Sequence, residues 1–80
     1  MKLNVVSPKG VICSTEVEYV KLPGSEGQFT VMRNHAPIMA MLVKGDIVYV
    51  EAVPLLTKHT ISVEKGVVKV SHNVIDVCVE

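Results

Sequence analysis

The last six residues alternate without a miss: Ile75, Val77 and Val79 fall on one phase, Asp76, Cys78 and Glu80 on the other. A period of two is the signature of a strand with one face in a core and one in solvent, and no helix can satisfy it. The same pattern recurs upstream. Val68 and Val70 alternate with Lys69 and Ser71, and Ile61 and Val63 with Ser62 and Glu64. Glu64-Lys65-Gly66 and Ser71-His72-Asn73 read as the turns between these runs. Val and Ile make up a little over a quarter of the chain, which suits a pleated sheet.

Nearer the start, "KLNVVS" reads as a strand stopped by Ser7-Pro8-Lys9-Gly10. "VICSTEVEYVKL" then runs to a Pro23-Gly24 turn. Val17 and Val20 inside it cannot share a face under strict alternation, which predicts a bulge or short break between them. Residues 28–32 and 47–52 read as further strands, the second opened by Gly45-Asp46. "PIMAMLV", residues 37–43, has helix-favouring Met, Ala and Leu but is short and starts on a proline, so strand is expected there too. Apolar Val48 and Val50 lie opposite Ile47 and Tyr49, so one face of that strand should meet a second sheet and the other a partner or an edge. Eighty residues make one domain, residues 1–80, and many short strands at close turn spacing imply a small sandwich or barrel.

Composition narrows function. Eight basic and eight acidic side chains cancel and are interleaved, and the aromatic residues are two Tyr, one Phe and no Trp. That argues against nucleic acid, which needs a basic field and stacking platforms. The longest apolar run, residues 36–43, is too short to span a membrane. No secretion signal is visible at the N-terminus, so the chain reads as cytosolic. Cys13 and Cys78 have no CxxC spacing, and His35, His59 and His72 show no metal-ligand spacing. Both cysteines read as reduced, with Cys78 on a polar phase within reach of a thiol reagent. None of the serines sits in a Gly-x-Ser-x-Gly elbow, and Glu16 and Glu18 read as a solvated face. "GSEGQF" lacks the Gly-Lys-Ser/Thr ending of a phosphate loop. An enzyme is therefore disfavoured, with no catalytic, cofactor or metal residue assigned.

Turn chemistry concentrates in "LPGSEGQFTVMRNHAP", residues 22–37. Together with "IMAML" after it, this stretch resembles the amino-terminal domain of the epsilon subunit of F-type ATP synthases, with its Leu-Pro-Gly turn, Gly-x-Phe strand and His-Ala-Pro. The resemblance extends over nearly all of the chain. Asn4 to Ser7 matches the family's first strand, Val17 to Gly24 its "Val-Glu-x-Val-x-Leu-Pro-Gly", and Ile61 to Val70 and Asn73 to Val77 its last two strands. The sequence departs from the family at Thr30, where glycine is usual, at Met32-Arg33-Asn34, where Leu-Pro-Gly is usual, and at Lys65-Gly66, where Gly-Gly is frequent. Asn34 can still adopt a left-handed turn conformation.

The resemblance implies an all-β sandwich of about ten short strands in two sheets. It implies a non-catalytic rotor subunit that links gamma to the ring of c subunits and couples ion flow to ATP synthesis, peripheral to the cytoplasmic face of a bacterial inner membrane. By position, Ser7, His35, Ala36, Pro37 and Ala40 would face gamma, and Glu26 and Gln28 the c-ring. The family often has an acid where Gln28 stands, so this amide gives up a charge-assisted contact. The chain stops where many members continue into a pair of helices, so no inhibitory helical domain and no nucleotide site is expected. The alternative is a free-standing binding sandwich, for instance for carbohydrate, which would need an exposed aromatic platform. His35, Pro23, Gly24, Gly27 and Pro37 can also serve purely as turn residues, and Met39, Met41 and Leu42 suit a core as well as a contact surface.

Overall fold

A computed structural model describes residues 1–52 and 57–80. Eight strands follow in order: β1 (Lys2–Ser7), β2 (Gly10–Gly24), β3 (Gly27–Met32), β4 (Ile38–Leu42), β5 (Gly45–Glu51), β6 (Lys58–Val63), β7 (Gly66–Ser71) and β8 (Val74–Val79). There is no helix among the described residues. The expected all-β class is what forms, with eight strands in the described residues where about ten were expected. β2 is the longest of them and runs fifteen residues without interruption.

β2 serves both layers. Its first half pairs antiparallel with β1, from Lys2↔Glu16 to Ser7↔Gly10. Its second half pairs with β3 on one side and β5 on the other. One layer is then β1, β8, β7 and β4 in that order, and the other is β3, β2, β5 and β6. β1 and β8 are parallel, and every other pairing is antiparallel. The smallest dimension of the molecule is 18 Å, as two sheets ~10 Å apart require.

The expected irregularity between Val17 and Val20 is present. Val17 lies opposite Glu51 and Tyr19 opposite Val50, so Glu18 is an extra residue on β2. This bulge turns both Val17 and Val20 inward, and both are fully buried. Elsewhere the inward phase is the one that the alternation marked, Val68 and Val70 on β7 and Ile75, Val77 and Val79 on β8, and on β1 Leu3 and Val5 are fully buried. Ile47 and Tyr49 face the same core. On the opposite phase of β5, Val50 is buried apart from that cluster and Val48 is half-buried.

Pro23 and Gly24 end β2, and Ser25-Glu26 make the hairpin turn into β3. Gly24 is required by packing: a Cβ there would meet the Gly27 carbonyl at 2.7 Å and the Phe29 ring at 2.8 Å. Gly27 is required by conformation, with φ at +128°. Asn34 takes φ of +65°, the left-handed turn its side chain tolerates. It is locked to the β7–β8 turn. Asn34 N–H donates to Asn73 Oδ1 at 2.6 Å, and Asn73 Nδ2 donates to Asn34 Oδ1 at 3.2 Å.

Candidate partner-binding edge and groove

β4 is short, uncharged and paired on only one side for most of its length. Its full five residues pair with β7, from Ile38↔Val70 to Leu42↔Gly66. On the other side it meets β2 at a single position, Gly24↔Leu42. Two hydrogen bonds flank that position: Ser25 N–H donates to the Met41 carbonyl and Val43 N–H to the Pro23 carbonyl, each at 2.9 Å. Beyond them β2 turns away into the hairpin, and the ladder stops.

The space so vacated is a groove of about 520 Å³. Residues 24–29 of the hairpin form one wall and residues 38–41 of β4 the other. The half-buried Phe29 packs against the core there, and Glu26 is the one ionisable residue in the lining. Met39 and Met41 rim the groove with 69% and 64% of their surface in solvent. Their exposure resolves the open choice between core and surface in favour of surface, whereas Leu42 is core.

The exposed methionines do not stand alone. The register aligns Met41 with Val67, Val67 with Cys78, Cys78 with Val6 and Val6 with Val11. Five apolar residues on five strands thus make one row across the outer face of the β4–β7–β8–β1–β2 layer. The next row, Met39, Lys69, Asp76, Asn4 and Ser14, is polar after its first member and is tied together by hydrogen bonds. Asn4 Nδ2 donates to Asp76 at 3.0 Å, and Ser14 donates to Asn4 at 2.8 Å. A second hollow of about 420 Å³ lies at the far end of the apolar row, lined by Val6, Ser7 and Pro8 against Val67, Cys78 and Val79 among others.

The residues singled out from sequence fall into these places unevenly. Glu26 and Gln28 are exposed on the hairpin wall of the groove, and Ala40 is half-buried on the facing wall. Ala40, from the set expected to face gamma, thus shares one groove with the two residues expected to face the c-ring. Ser7 lies apart, in the second hollow. Pro37 is exposed beside Met39, Lys69 and Ser71 in a third hollow, and Ala36 is exposed just before it. His35 is half-buried in the β3–β4 turn, where its N–H donates to the Met32 carbonyl at 3.1 Å. Its ring Nδ1 lies 2.6 Å from the Ala36 carbonyl, so Nδ1 carries the proton. The turn-forming reading of His35 is thus realised in local bonds. Cys78 is exposed, as its phase implied, and both thiols are free.

One cluster escaped the sequence reading. At the opposite end of β2 and β5, Cys13 Sγ donates to the Tyr49 hydroxyl at 3.4 Å, and the Tyr49 ring stacks on His59 at 5.1 Å. His59 Nε2 pairs with Glu51 Oε1, and Thr15 donates to the other Glu51 oxygen at 3.5 Å. Burial first, then contact with Cys13 and the Glu51 charge, push the Tyr49 hydroxyl up to about 12. No group of three or more His, Cys, Asp or Glu among the described residues has the arrangement of a metal site. All three aromatic side chains, Tyr19, Phe29 and Tyr49, are buried or half-buried, so no exposed aromatic platform exists for a sugar.

The fold and the surface define a small β-sandwich with an open strand edge, a groove and an apolar row. Residues 1–80 match the ATP synthase Delta/Epsilon chain β-sandwich domain, and the chain belongs to that family. It is 41% identical over 70 residues to the ATP synthase epsilon chain of Sulfurovum sp., covering 88% of this chain and 53% of that one. It is 37% identical over 78 residues to the epsilon chain of Campylobacter fetus, covering 98% of this chain and 59% of that one. The chain thus spans a little over half the length of these curated relatives. Its fold is shared with a chain in the mitochondrial ATP synthase central stalk and c-ring structure of Tetrahymena thermophila, at a TM-score of 0.83 and 12% identity, over 99% of this chain and 62% of that one. It is shared also with a chain of the Euglena gracilis mitochondrial ATP synthase, at 0.87 and 19%, over 96% and 48%.

Proposed function

We propose that this chain acts as a non-catalytic rotor subunit of an F-type ATP synthase, linking gamma to the c-ring and so coupling ion flow to ATP synthesis. The observation that carries the reading is the family match along the whole of residues 1–80. The groove supports it. Glu26, Gln28 and Ala40 bring the hairpin and β4 to one surface large enough for a protein contact. In this reading Ser7, His35, Ala36, Pro37 and Ala40 face gamma, and Glu26 and Gln28 meet the polar loops of the ring. The work is mechanical, so it calls for no cofactor. The chain has its place on the cytoplasmic face of a bacterial inner membrane, held there through the complex; no helix of the described residues is long and apolar enough to cross it.

Affinity purification of the tagged chain from its own cell extract tests the reading. Recovery with gamma and other ATP synthase subunits is expected. Recovery with none of them overturns it.

A further inference from the structure

The antiparallel ladder between β4 and β7 assigns a direction to every backbone group of β4. In such a ladder, alternate residues turn their N–H and C=O toward one neighbour and the intervening residues toward the other. The Met41 carbonyl and the Val43 N–H bond to the β2 side. Met39 shares their phase, so its N–H and C=O, and the N–H of Met41, point into the groove and away from β7. Ile38, Ala40 and Leu42 use theirs on β7. No described residue pairs with the three groove-facing groups of Met39 and Met41. They lie along the same line as the two bonds that β2 has already made, and a strand continuing that line would complete the ladder.

The other open edges are less suited. β6 starts on Lys58 and carries His59 tied to Glu51, and a charged edge discourages pairing. β3 starts on Gly27 at positive φ. β4, "IMAML", has no charge, and its open side borders the largest groove described.

We propose that the open edge of β4 takes an extended strand from a partner polypeptide, which hydrogen-bonds to the backbone of Met39 and Met41 and extends the sheet. This rests on the rotor reading, and it names the mode of contact with gamma: backbone pairing on β4 rather than side-chain contact alone. Chemistry selects the occupant. Alternating amide donors and acceptors at strand spacing match another backbone and nothing smaller. Glu26, the sole ionisable lining residue, borders the groove from the hairpin that in the rotor reading meets the ring, and it also complements a lysine or arginine on the incoming strand. A second copy of the chain fits poorly. Five residues of strand extend ~17 Å, and two copies joined only along that edge would bury far less than the ~1,200 Å² typical of a specific interface.

The test measures hydrogen exchange at the Met39 and Met41 amides of the 80-residue chain, alone and bound to the gamma subunit of the same enzyme. Both amides should exchange freely in the isolated chain and slow at least a hundredfold in the complex. Met39→Pro removes one groove-facing donor without touching the bonds to β7, and it should raise Kd for gamma at least tenfold more than Met39→Ala, which keeps the amide. Circular dichroism establishes that each variant is folded. Exchange in the parent chain stands whether or not Met39→Pro folds. Binding to gamma with both amides unprotected overturns the inference and leaves the rotor reading intact. No binding to gamma at all overturns both. Protection in the isolated chain that rises with concentration, together with a doubled mass, assigns the edge to a second copy and overturns the partner strand.

Discussion

The two ends of the β2–β5 ribbon are built on opposite plans. At the Gly24–Gly45 end, the ladder between β2 and β4 breaks off after two bonds, the rim carries exposed methionines, and a groove stays open. At the Val17–Glu51 end, buried or half-buried polar side chains find one another: Cys13 with Tyr49, Thr15 with Glu51, Glu51 with His59. Polar side chains in contact with one another rigidify the place where they sit. An unpaired strand edge is a template for another strand, and exposed apolar surface has unfavourable contacts with water that a partner relieves. Polarity alone would have suggested the reverse assignment, with function at the His–Glu–Tyr–Cys end. Counting which groups already have partners separates the two.

If the closed end is structural, damage there should unfold the protein. Tyr49→Ala removes a buried, stacked ring and should cost ~3–5 kcal/mol in chemical denaturation. Below its lowered melting temperature, the variant should still bind the stalk. Loss of binding by a folded Tyr49→Ala chain would erase the distinction between the ends.

Alkaline titration probes the same end without mutation. Tyr49 holds its proton to about 12 when folded, against 10.0 for the ordinary group. Between these values the unfolded chain has lost a proton that the folded chain keeps, so stability should fall as pH rises from 10 to 12. The loss should be on the order of 2 kcal/mol, and Tyr49→Phe should flatten that part of the profile.

The open end has one rigid element at its base. Gly24→Ala places a methyl against the Gly27 carbonyl and the Phe29 ring. Overpacking of this kind costs ~1–3 kcal/mol, and here it should also deform the hairpin wall and weaken binding. By contrast, Met41→Lys changes an exposed residue. Its effect on stability should stay within ~0.5 kcal/mol, while a charge in the middle of the apolar row should weaken stalk binding at least tenfold. A destabilised Met41→Lys chain that binds normally would mean that the row belongs to the fold rather than to a partner.

Much of the fold was legible because period-two patterns record which face is buried. Ile75, Val77 and Val79 are core because they share one phase of a strand whose other phase carries Asp76 and Cys78, and the clash of phase between Val17 and Val20 announced a bulge between them, which the register places at Glu18. The Asn34 turn was legible from side-chain chemistry. The eight runs read from the residues correspond to the eight strands, whereas the count of about ten came from the family resemblance; nothing in "GVICSTEVEYVKLPG" marks where one long strand passes from one layer to the other. The candidate site was half legible. Glu26, Gln28 and Ala40 were singled out, yet their meeting in one groove depends on how β2 and β4 diverge after Gly24. The row from Met41 to Val11 comes from the registers of four strand pairs, and local sequence carries no register between distant strands. The Cys13–Tyr49–His59 contacts depend on register in the same way.

The central claim is that the open end meets the stalk and the closed end does not. A photo-crosslinking side chain placed at Gln28 on the hairpin, or separately at Lys58 where β6 begins beside Val50, tests it in one preparation of reconstituted enzyme. The account predicts adducts with gamma or c subunits from position 28 and none from position 58. Adducts from position 58 alone would contradict it.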